Sequence, residues 1–161
     1  MPCVHLVESA GVDLPNYSVK LWSKFGSVFY KKAKLSAAGI PVIAILHGFS
    51  TAGGAYQIGM SDYVIGVKRN GMAALAGSAL LKAATGENAS NSDIGGVEMH
   101  SVVTGSVEYL VNDDAESIVT VRQLIDQLNW NENDAQKTTL NFEDPEYPIE
   151  DIAGIVPTDY S

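Results

Sequence analysis

The continuous apolar stretch from Pro41 to His47 (PVIAILH) constrains the fold more than any other part of the sequence. It is too short for a typical helix and lacks the alternation of a half-exposed strand, so it predicts a buried central strand. Apolar runs from Cys3 to Val7 (CVHLV) and from Tyr63 to Val67 (YVIGV) predict two further strands. Helix-compatible sequence separates the three runs. The resulting order of strand, helix, strand, helix and strand predicts an α/β fold.

The segment from Tyr17 to Ala38 predicts a long amphipathic helix that ends at Gly39. Its apolar residues recur at intervals of three and four, and they are Val19, Leu21, Trp22, Phe25, Val28, Phe29 and Ala33. The residues between them include Lys20, Lys24, Lys31, Lys32 and Lys34. We expect these lysines to form a basic outer face in solvent.

Three further segments carry secondary-structure signals. Residues Gly71 to Glu87 predict a short strand, a glycine turn and a helix that ends at Gly86. Alternation from Ser106 to Val111 predicts another strand. Residues Asp113 to Leu128 predict a helix, because acidic residues stand at its positive end and apolar residues line one face.

The composition changes after Trp130 and becomes rich in Asn, Asp, Glu, Pro and Thr, with no sustained period. A chain of 161 residues with 46% apolar residues suits one domain with a continuous core. We therefore expect a core over residues 1–130 and an extended polar tail or interdomain linker over residues 131–161.

Charge and cysteine content exclude several classes of function. The chain has 19 acidic and 10 basic residues and a net charge of -9, which disfavours general binding to nucleic acid or to anionic membranes. Cys3 is the only cysteine, so an internal disulfide is excluded and a reducing compartment is indicated. No stretch approaches the roughly 18 to 20 apolar residues of a membrane span, and no secretory signal is evident. We expect the chain in the cytoplasm or an organelle matrix.

The stretch from Ser50 to Gln57 (STAGGAYQ) is the candidate site, because it joins a predicted strand to a predicted helix. Adjacent glycines let the main chain approach a ligand closely, and the free N–H groups of a first helical turn point toward that ligand. Such a turn favours an anion or a developing oxyanion. Neither GxGxxG nor GxxxxGK[ST] is present, so nucleotide fingerprints are lacking. From these residues alone, a tight turn that serves only packing is as good an interpretation as a ligand-binding turn.

A second loop of small residues, from Glu8 to Pro15, follows the first predicted strand. If the first two strands are neighbours in a parallel sheet, both loops emerge at the same carboxyl edge, where α/β sheets bind ligands. Each loop then offers N–H groups to one carbonyl oxygen.

Other polar residues favour structural roles. His5, His47 and His100 lie in predicted strands or helices and are expected to be packing histidines. No spacing suggests a Ser, His and Asp trio, so Ser50 is not expected to act as a nucleophile. No pattern supports metal ligation.

The chain resembles the N-terminal carboxyltransferase domain of the β subunits of biotin-dependent acyl-CoA carboxylases, the group that acts on propionyl-, methylcrotonyl- and geranyl-CoA. The similarity is collinear from about Pro2 to Asp159 and rests on many matching sequence segments that occur in the same order. These are LVESAG at 6–11, LSAAGIPVIA at 35–44, STAGGAY at 50–56, MSDYVI at 60–65, LAGSALLKAATGE at 75–87, DIGGVEMH at 93–100, TGSVEYLVNDDAE at 104–116 and DIAGIVPTD at 151–159.

The resemblance implies a crotonase (ClpP-like) spiral fold of α/β class, with a single N-terminal-type carboxyltransferase domain. It implies that an acyl-CoA thioester directs its carbonyl oxygen at the N–H groups of Gly53, Gly54 and Ala55. Residues implied to contact the substrate are Ser9, Ala10, Gly11, Ser50, Thr51, Ala76, Gly77 and Lys82, the last as a candidate for a CoA phosphate. A helix lysine is more often just solvated.

The resemblance also implies cofactor and partners. Biotin would arrive on a biotin carboxylase or biotin carrier subunit, and a second carboxyltransferase domain or subunit would complete the active site in a homo-oligomer. Location would be cytoplasmic, or the mitochondrial matrix in a eukaryote. The alternatives are a biotin-linked acyl-CoA decarboxylase subunit and a non-catalytic fragment or assembly module of the same fold.

Two residues depart from the family pattern. Ser78 stands where these enzymes usually have proline, and Ala10 stands where glycine is common. The stretch before the first loop and the second domain are also missing, so an incomplete carboxyltransferase unit is expected.

Overall fold

The computed structural model describes residues 1–9, 14–16, 18–130, 146–148 and 151. Within this part of the chain, five strands form one sheet: β1 (Cys3–Ser9), β2 (Val42–Thr51), β3 (Tyr63–Val67), β4 (Met72–Ala74) and β5 (Tyr109–Val111). The strand order is β1-β2-β3-β5, β4 pairs with the end of β2, and all pairings are parallel. The α/β class with a parallel sheet is therefore confirmed.

Helices connect the strands. They are α1 (Val19–Ala37), α2 (Gly53–Gly59), α3 (Ser78–Thr85), α4 (Asn91–Gly95), α5 (Val97–Met99) and α6 (Asp114–Gln127), with a 3-10 turn at Leu14–Asn16 and a π-helix at His100–Thr104. The expected helix ends are confirmed, since Gly86 closes α3 with a φ of 80° and the Asp113 carboxylate caps α6 by accepting the Glu116 N–H.

The core has two apolar clusters, one on each face of the sheet. On one face Ala44 and Leu46 of β2 pack with Ile58 of α2. On the other face Ile43 and Ile45 of β2 pack with α6. All four of these β2 side chains are fully buried, so the prediction of a central buried strand from Pro41 to His47 is confirmed.

Three details differ from the sequence predictions. β1 is an edge strand whose Val4 and Leu6 side chains are 39% and 61% exposed, so it is not a buried strand. β5 begins only at Tyr109, and Glu108 just before it donates its N–H to the Val64 carbonyl at 3.2 Å and accepts the Val64 N–H on its carboxylate at 2.7 Å. The helix α4 was not predicted, although Ser90 and Asp93 form a capping box at its start.

Lys32 corrects the prediction of a uniformly basic outer face on α1, because its side chain is only 2% exposed. It follows Phe29 by three residues and Phe25 by seven, so helical spacing places it on their face of α1. Among the described helices, none has the length and apolar character that spanning a membrane requires.

Candidate functional site

The candidate site lies where β1, β2 and β4 end at one edge of the sheet. The parallel pairing of β1 with β2 places Ser9 opposite Ser50, after a register irregularity that follows Val7. On the other side of β2, Thr51 pairs with Ala74 of β4. The expectation that the first two strands are parallel neighbours is thus confirmed, and the segments that follow them leave from a common edge.

The chain turns sharply between β2 and α2 at Ala52, which has a φ of 49° and a ψ of -121°. This left-handed region is unfavourable for a residue with a Cβ atom, and such strain is concentrated at functional sites. The Ala52 N–H donates to the Ala74 carbonyl at 3.0 Å, which fixes the turn to β4. Sequence reasoning missed this residue, since an alanine between threonine and glycine gives no sign of a positive φ.

The N–H groups of Gly53, Gly54 and Ala55 open α2. Within the described residues, none of the three donates to a carbonyl or side-chain acceptor. The first N–H of α2 that has a main-chain acceptor is that of Tyr56, which donates to the Ala52 carbonyl at 3.3 Å. Orphan donors at a helix start suit a partial negative charge on a ligand oxygen. Gly53 is half-buried and Gly54 is buried.

Gly54 contacts the two serines that face each other on β1 and β2. A Cβ atom on Gly54 would lie 2.6 Å from Ser50 Oγ and 2.7 Å from Ser9 Cβ, so any larger residue would force a shift of Ser9 or of the turn. Ser50 is fully buried, and its hydroxyl has no hydrogen-bond partner among the described residues. A buried unpaired hydroxyl costs about 1–3 kcal/mol. The predicted residues Ser9, Ser50 and Gly54 are therefore in direct contact.

Aromatic rings from α1 flank the other side of the turn. A Cβ atom on Gly53 would lie 3.5 Å from Phe25 Cε1 and 3.6 Å from Phe29 Cζ. Ring contacts continue from Phe25 to Trp22 and from Phe29 to Tyr56. We call the four residues Trp22, Phe25, Phe29 and Tyr56 the aromatic row.

Lys32 fixes the far end of α2. Its ammonium group donates to the Gln57 carbonyl, which also accepts the Ser61 hydroxyl at 2.9 Å. Burial lowers the pKa of Lys32, while the nearby Cys3 and Asp62 side chains act in the opposite direction. Burial lowers the pKa of His5, and the positive charge of Lys32 lowers it further. A cation at this end complements the helix dipole of α2.

Ala76 and Gly77 follow β4 and precede α3. Gly77 lies against Phe49, since a Cβ atom on Gly77 would be 3.4 Å from the Phe49 ring. The N–H of Ser78 donates to Asn91 Oδ1 at 2.8 Å, a bond that the proline usual at this position in the family cannot make. Asn91 in α4 thereby compensates for the departure at Ser78.

Lys82 is not brought to the Gly53–Ala55 turn by any contact within the described part of the chain. It instead borders a cleft of about 420 Å³ together with Ser78, Ser90 and Asp93. Hydrogen bonds from the Ser90 hydroxyl and N–H lower the pKa of Asp93. Ala10 and Gly11 lie outside the described residues, and the description of that loop ends at Ser9.

A larger cleft of about 780 Å³ was not foreseen from the sequence. It lies between β4 and α4, and its lining includes Phe49, Arg69, Met72 and Glu98. Arg69 has a φ of 67°, and its N–H donates to the Glu98 carboxylate at 2.9 Å. The only early sign of this cleft is the glycine and asparagine content of the segments that border it.

Two of the three histidines, His47 and His100, have partners among the described side chains and carbonyls. His100 Nε2 lies 2.7 Å from the Ala73 carbonyl, and its Nδ1 lies 3.0 Å from Thr104 Oγ1. His47 Nδ1 lies 3.7 Å from the Asp114 carboxylate. In the described ranges, no three His, Cys, Asp or Glu side chains are grouped so that they could hold a metal ion.

A protein-family model described as "Carboxyl transferase domain" matches residues 1–161. The chain is 40% identical over 159 residues to the probable biotin-dependent acyl-coenzyme A carboxylase beta2 subunit of Mycobacterium tuberculosis, an alignment that covers 99% of this chain and 30% of that protein. It is 38% identical over 161 residues to the mitochondrial methylcrotonoyl-CoA carboxylase beta chain of Dictyostelium discoideum, covering 99% and 27%.

A solved structure agrees with these sequence matches. The beta subunit of geranyl-CoA carboxylase from P. aeruginosa superposes with a TM-score of 0.73 and 40% identity, covering 99% of this chain and 29% of that one. This chain thus spans less than a third of the length of each of these relatives.

Proposed function

Because this chain belongs to the carboxyl transferase domain family, we propose that it is the acyl-CoA-binding part of a biotin-dependent carboxyltransferase. In this proposal the N–H groups of Gly53 and Gly54, with that of Ala55, bind the thioester carbonyl oxygen of an acyl-CoA. Loss of the α-proton leaves an enolate with negative charge on that oxygen. Each such donor stabilises the transition state by about 3 kcal/mol.

One observation carries the proposal, namely the orphan donors of Gly53, Gly54 and Ala55 at a strained turn. Ala52 has a positive φ at this turn, and the bond from its N–H to the Ala74 carbonyl holds the turn to β4. The first N–H groups of a helix have no partner within the helix, so these three donors are available to a ligand oxygen.

The other predicted residues have supporting roles in this proposal. Ser9, Ser50 and Thr51 would line the base of the turn, and Ala76 and Gly77, which follow β4, would contact the substrate further from it. Lys82 would reach a CoA phosphate from the adjoining cleft, and Ala10 and Gly11 would extend the Ser9 side. No nucleophile is required, because a thioester enolate needs hydrogen-bond donors.

Biotin supplies the carboxyl group in this chemistry. In this proposal the thioester occupies the Gly53–Ala55 turn. We therefore place biotin on a carrier protein and its binding residues on a second carboxyltransferase domain or subunit. Biotin carboxylase or carrier subunits and further copies of this chain would be the partners.

The finer fold and domain assignments belong to the same proposal. We infer that the parallel sheet is part of a crotonase (ClpP-like) spiral. We also infer that residues 131–161 form a linker beyond a 1–130 core. A cytoplasmic location, or the mitochondrial matrix in a eukaryote, fits a biotin-dependent acyl-CoA enzyme.

The test is a titration of the 161-residue chain with an acyl-CoA that carries ¹³C at its carbonyl, followed by calorimetry and NMR. We expect binding together with a downfield shift of the carbonyl resonance, because hydrogen bonding polarises the carbonyl. The matched control is the thioether analogue, which has no carbonyl oxygen and should bind about tenfold more weakly, the value of one hydrogen bond. Equal affinity for the two ligands, or an unmoved resonance, would contradict the proposal.

The direction of carboxyl transfer is a separate question, because the same enolate forms when a carboxylated acyl-CoA loses CO2. A biotin-linked decarboxylase therefore uses the same turn. Supplying biotin carboxylase, ATP and bicarbonate, or alternatively a carboxylated acyl-CoA, shows which direction runs with a second carboxyltransferase subunit present. A non-catalytic module would bind neither thioester.

A further inference from the structure

We propose, on the premise of the proposed function, that the aromatic row receives the acyl group, and that this chain therefore prefers acyl-CoA thioesters with long apolar acyl groups over acetyl-CoA. The proposal concerns Trp22, Phe25 and Phe29 of α1 and Tyr56 of α2. It assigns a substrate class to the site and a function to the exposed aromatic face of α1.

The aromatic row contacts the Gly53–Ala55 turn. Phe25 and Phe29 lie 3.5 and 3.6 Å from the position of a Cβ atom on Gly53. The acyl α-carbon is one bond from the carbonyl carbon, so an acyl group held by the Gly53 N–H begins beside these rings. Tyr56 is three residues further along α2 and therefore lies on the same side of the helix as Gly53.

The rings of the row contact one another and are also exposed to solvent. Phe25 and Phe29 meet edge to face with centroids 5.8 Å apart, and Phe29 meets Tyr56 in the same way at 6.2 Å. Trp22 stacks on Phe25 at 6.4 Å and an interplanar angle of 19°. Trp22, Phe25 and Tyr56 nevertheless stay 51%, 41% and 62% exposed. Rings fixed by their neighbours but open to solvent bind an apolar ligand at little cost in side-chain entropy.

The length of the row along α1 exceeds that of a short acyl group. Seven residues separate Phe29 from Trp22, which is about 10 Å along a helix. An acetyl group would touch only the rings beside Gly53. A longer apolar chain would also reach Trp22 and would remove more apolar surface from water.

The experiment measures the affinity of the 161-residue chain for acetyl-, butanoyl- and octanoyl-CoA by calorimetry. We expect affinity to rise by up to about fourfold for each methylene that the row buries. Phe25→Ala should weaken octanoyl-CoA binding about tenfold and should weaken acetyl-CoA binding less, because the shorter acyl group buries less apolar surface against the row. Tyr30→Ala is the matched control, because Tyr30 is 67% exposed on α1 and takes no part in the row.

A second measurement does not depend on truncating an aromatic residue. The chain has two tryptophans, so Trp130→Phe leaves Trp22 as the only indole emitter. Octanoyl-CoA should shift the Trp22 emission to shorter wavelength, whereas acetyl-CoA and free CoA should not. This readout also serves if Phe25→Ala fails to fold, and Phe25→Leu then replaces it.

The outcomes separate this inference from the proposed function. Affinity that rises with acyl length, falls in the Phe25 variant and stays unchanged in Tyr30→Ala supports it. An affinity that does not change with acyl length, or a Trp22 emission that octanoyl-CoA leaves unchanged, overturns the inference. Neither result contradicts the proposed binding of acyl-CoA at the Gly53–Ala55 turn. A chain that binds no CoA thioester overturns the proposed function and the inference with it.

Discussion

Ser50 Oγ lies 2.6 Å from the position that a Cβ atom on Gly54 would occupy. On the same side, Ser9 Cβ lies 2.7 Å from that position, and it cannot rotate away as a hydroxyl can. A Cβ atom on the second glycine of the turn would therefore force Ser9 or the turn itself to shift. It also gives a direct test of how the turn packs onto the sheet.

Gly54→Ala should destabilise the chain by about 1–3 kcal/mol, because the added methyl group overpacks the contact with Ser9 and Ser50. The displaced turn should also weaken acyl-CoA binding. Gly59→Ala in the same helix is the control, since no atom lies within 4 Å of its Cβ position. That control should be neutral or more stable by about 0.5–1 kcal/mol. Equal urea midpoints for the two variants would contradict the packing described.

Ser50→Ala should stabilise the chain or leave it unchanged, because the variant removes a buried hydroxyl that has no partner among the described residues. The gain is at most about 1–3 kcal/mol, the desolvation cost of such a group. Ser61→Ala is the comparison and should lose about 1 kcal/mol, since Ser61 donates to the Gln57 carbonyl. Thermal unfolding of the three proteins checks the order, and a lower Tm for Ser50→Ala would show that its hydroxyl is bonded.

Lys32 predicts a pH dependence of stability with a definite sign. Burial lowers its pKa in the folded chain below the ordinary value of 10.5, so the unfolded chain binds more protons between those two pKa values. The contribution of Lys32 to the free energy of unfolding is therefore least favourable below the folded pKa. It becomes more favourable as the pH rises through that window.

Denaturant titrations at neutral and alkaline pH test this sign. Relative to Lys32→Met, the native chain should gain stability as the pH rises toward 10.5. Lys31→Met changes an exposed lysine one residue away, and its stability difference from the native chain should stay constant. A loss of stability of the native chain relative to Lys32→Met as the pH rises would oppose the burial described.

Ser78→Pro, which restores the residue usual in the family, should change stability by less than about 1 kcal/mol. The variant loses the bond from the Ser78 N–H to Asn91, worth about 0.5–1.5 kcal/mol. It gains about 0.4–1 kcal/mol, because proline restricts the unfolded chain and is tolerated at the first position of a helix. Asn91→Ala loses the same bond without the gain and should be the less stable of the two. Calorimetric unfolding decides, and the reverse order would contradict this account.

Local patterns were sufficient to predict most elements of the fold. The run from Tyr63 to Val67 is β3 residue for residue, because continuous apolar sequence of that length has few alternatives in an α/β chain. The helix predicted over Tyr17 to Ala38 is observed at Val19–Ala37, since the 3.6-residue period is sustained for five turns. The Gly53 turn was located because its glycines follow a buried strand.

Long-range side-chain contacts were beyond local reasoning. The burial of Lys32 depends on a hydrogen bond to the carbonyl of Gln57, which is 25 residues away. A lysine in a helical pattern gives no sign of such an acceptor. The contact of Gly54 with Ser9 depends on the register of β1 against β2, which the sequence does not encode locally. The aromatic row was foreseen only as an apolar stripe, because its partner Tyr56 lies on another helix.

The position of β1 at the end of the sheet matters for handling the protein. In the part of the chain that the structure describes, β2 is the only strand that pairs with β1, and Val4 and Leu6 are exposed on its uncovered face. An open strand edge with exposed apolar side chains is a template for aggregation. Concentrated preparations should therefore precipitate through β1, and Leu6→Lys should raise the solubility limit while leaving the Gly53–Ala55 turn untouched.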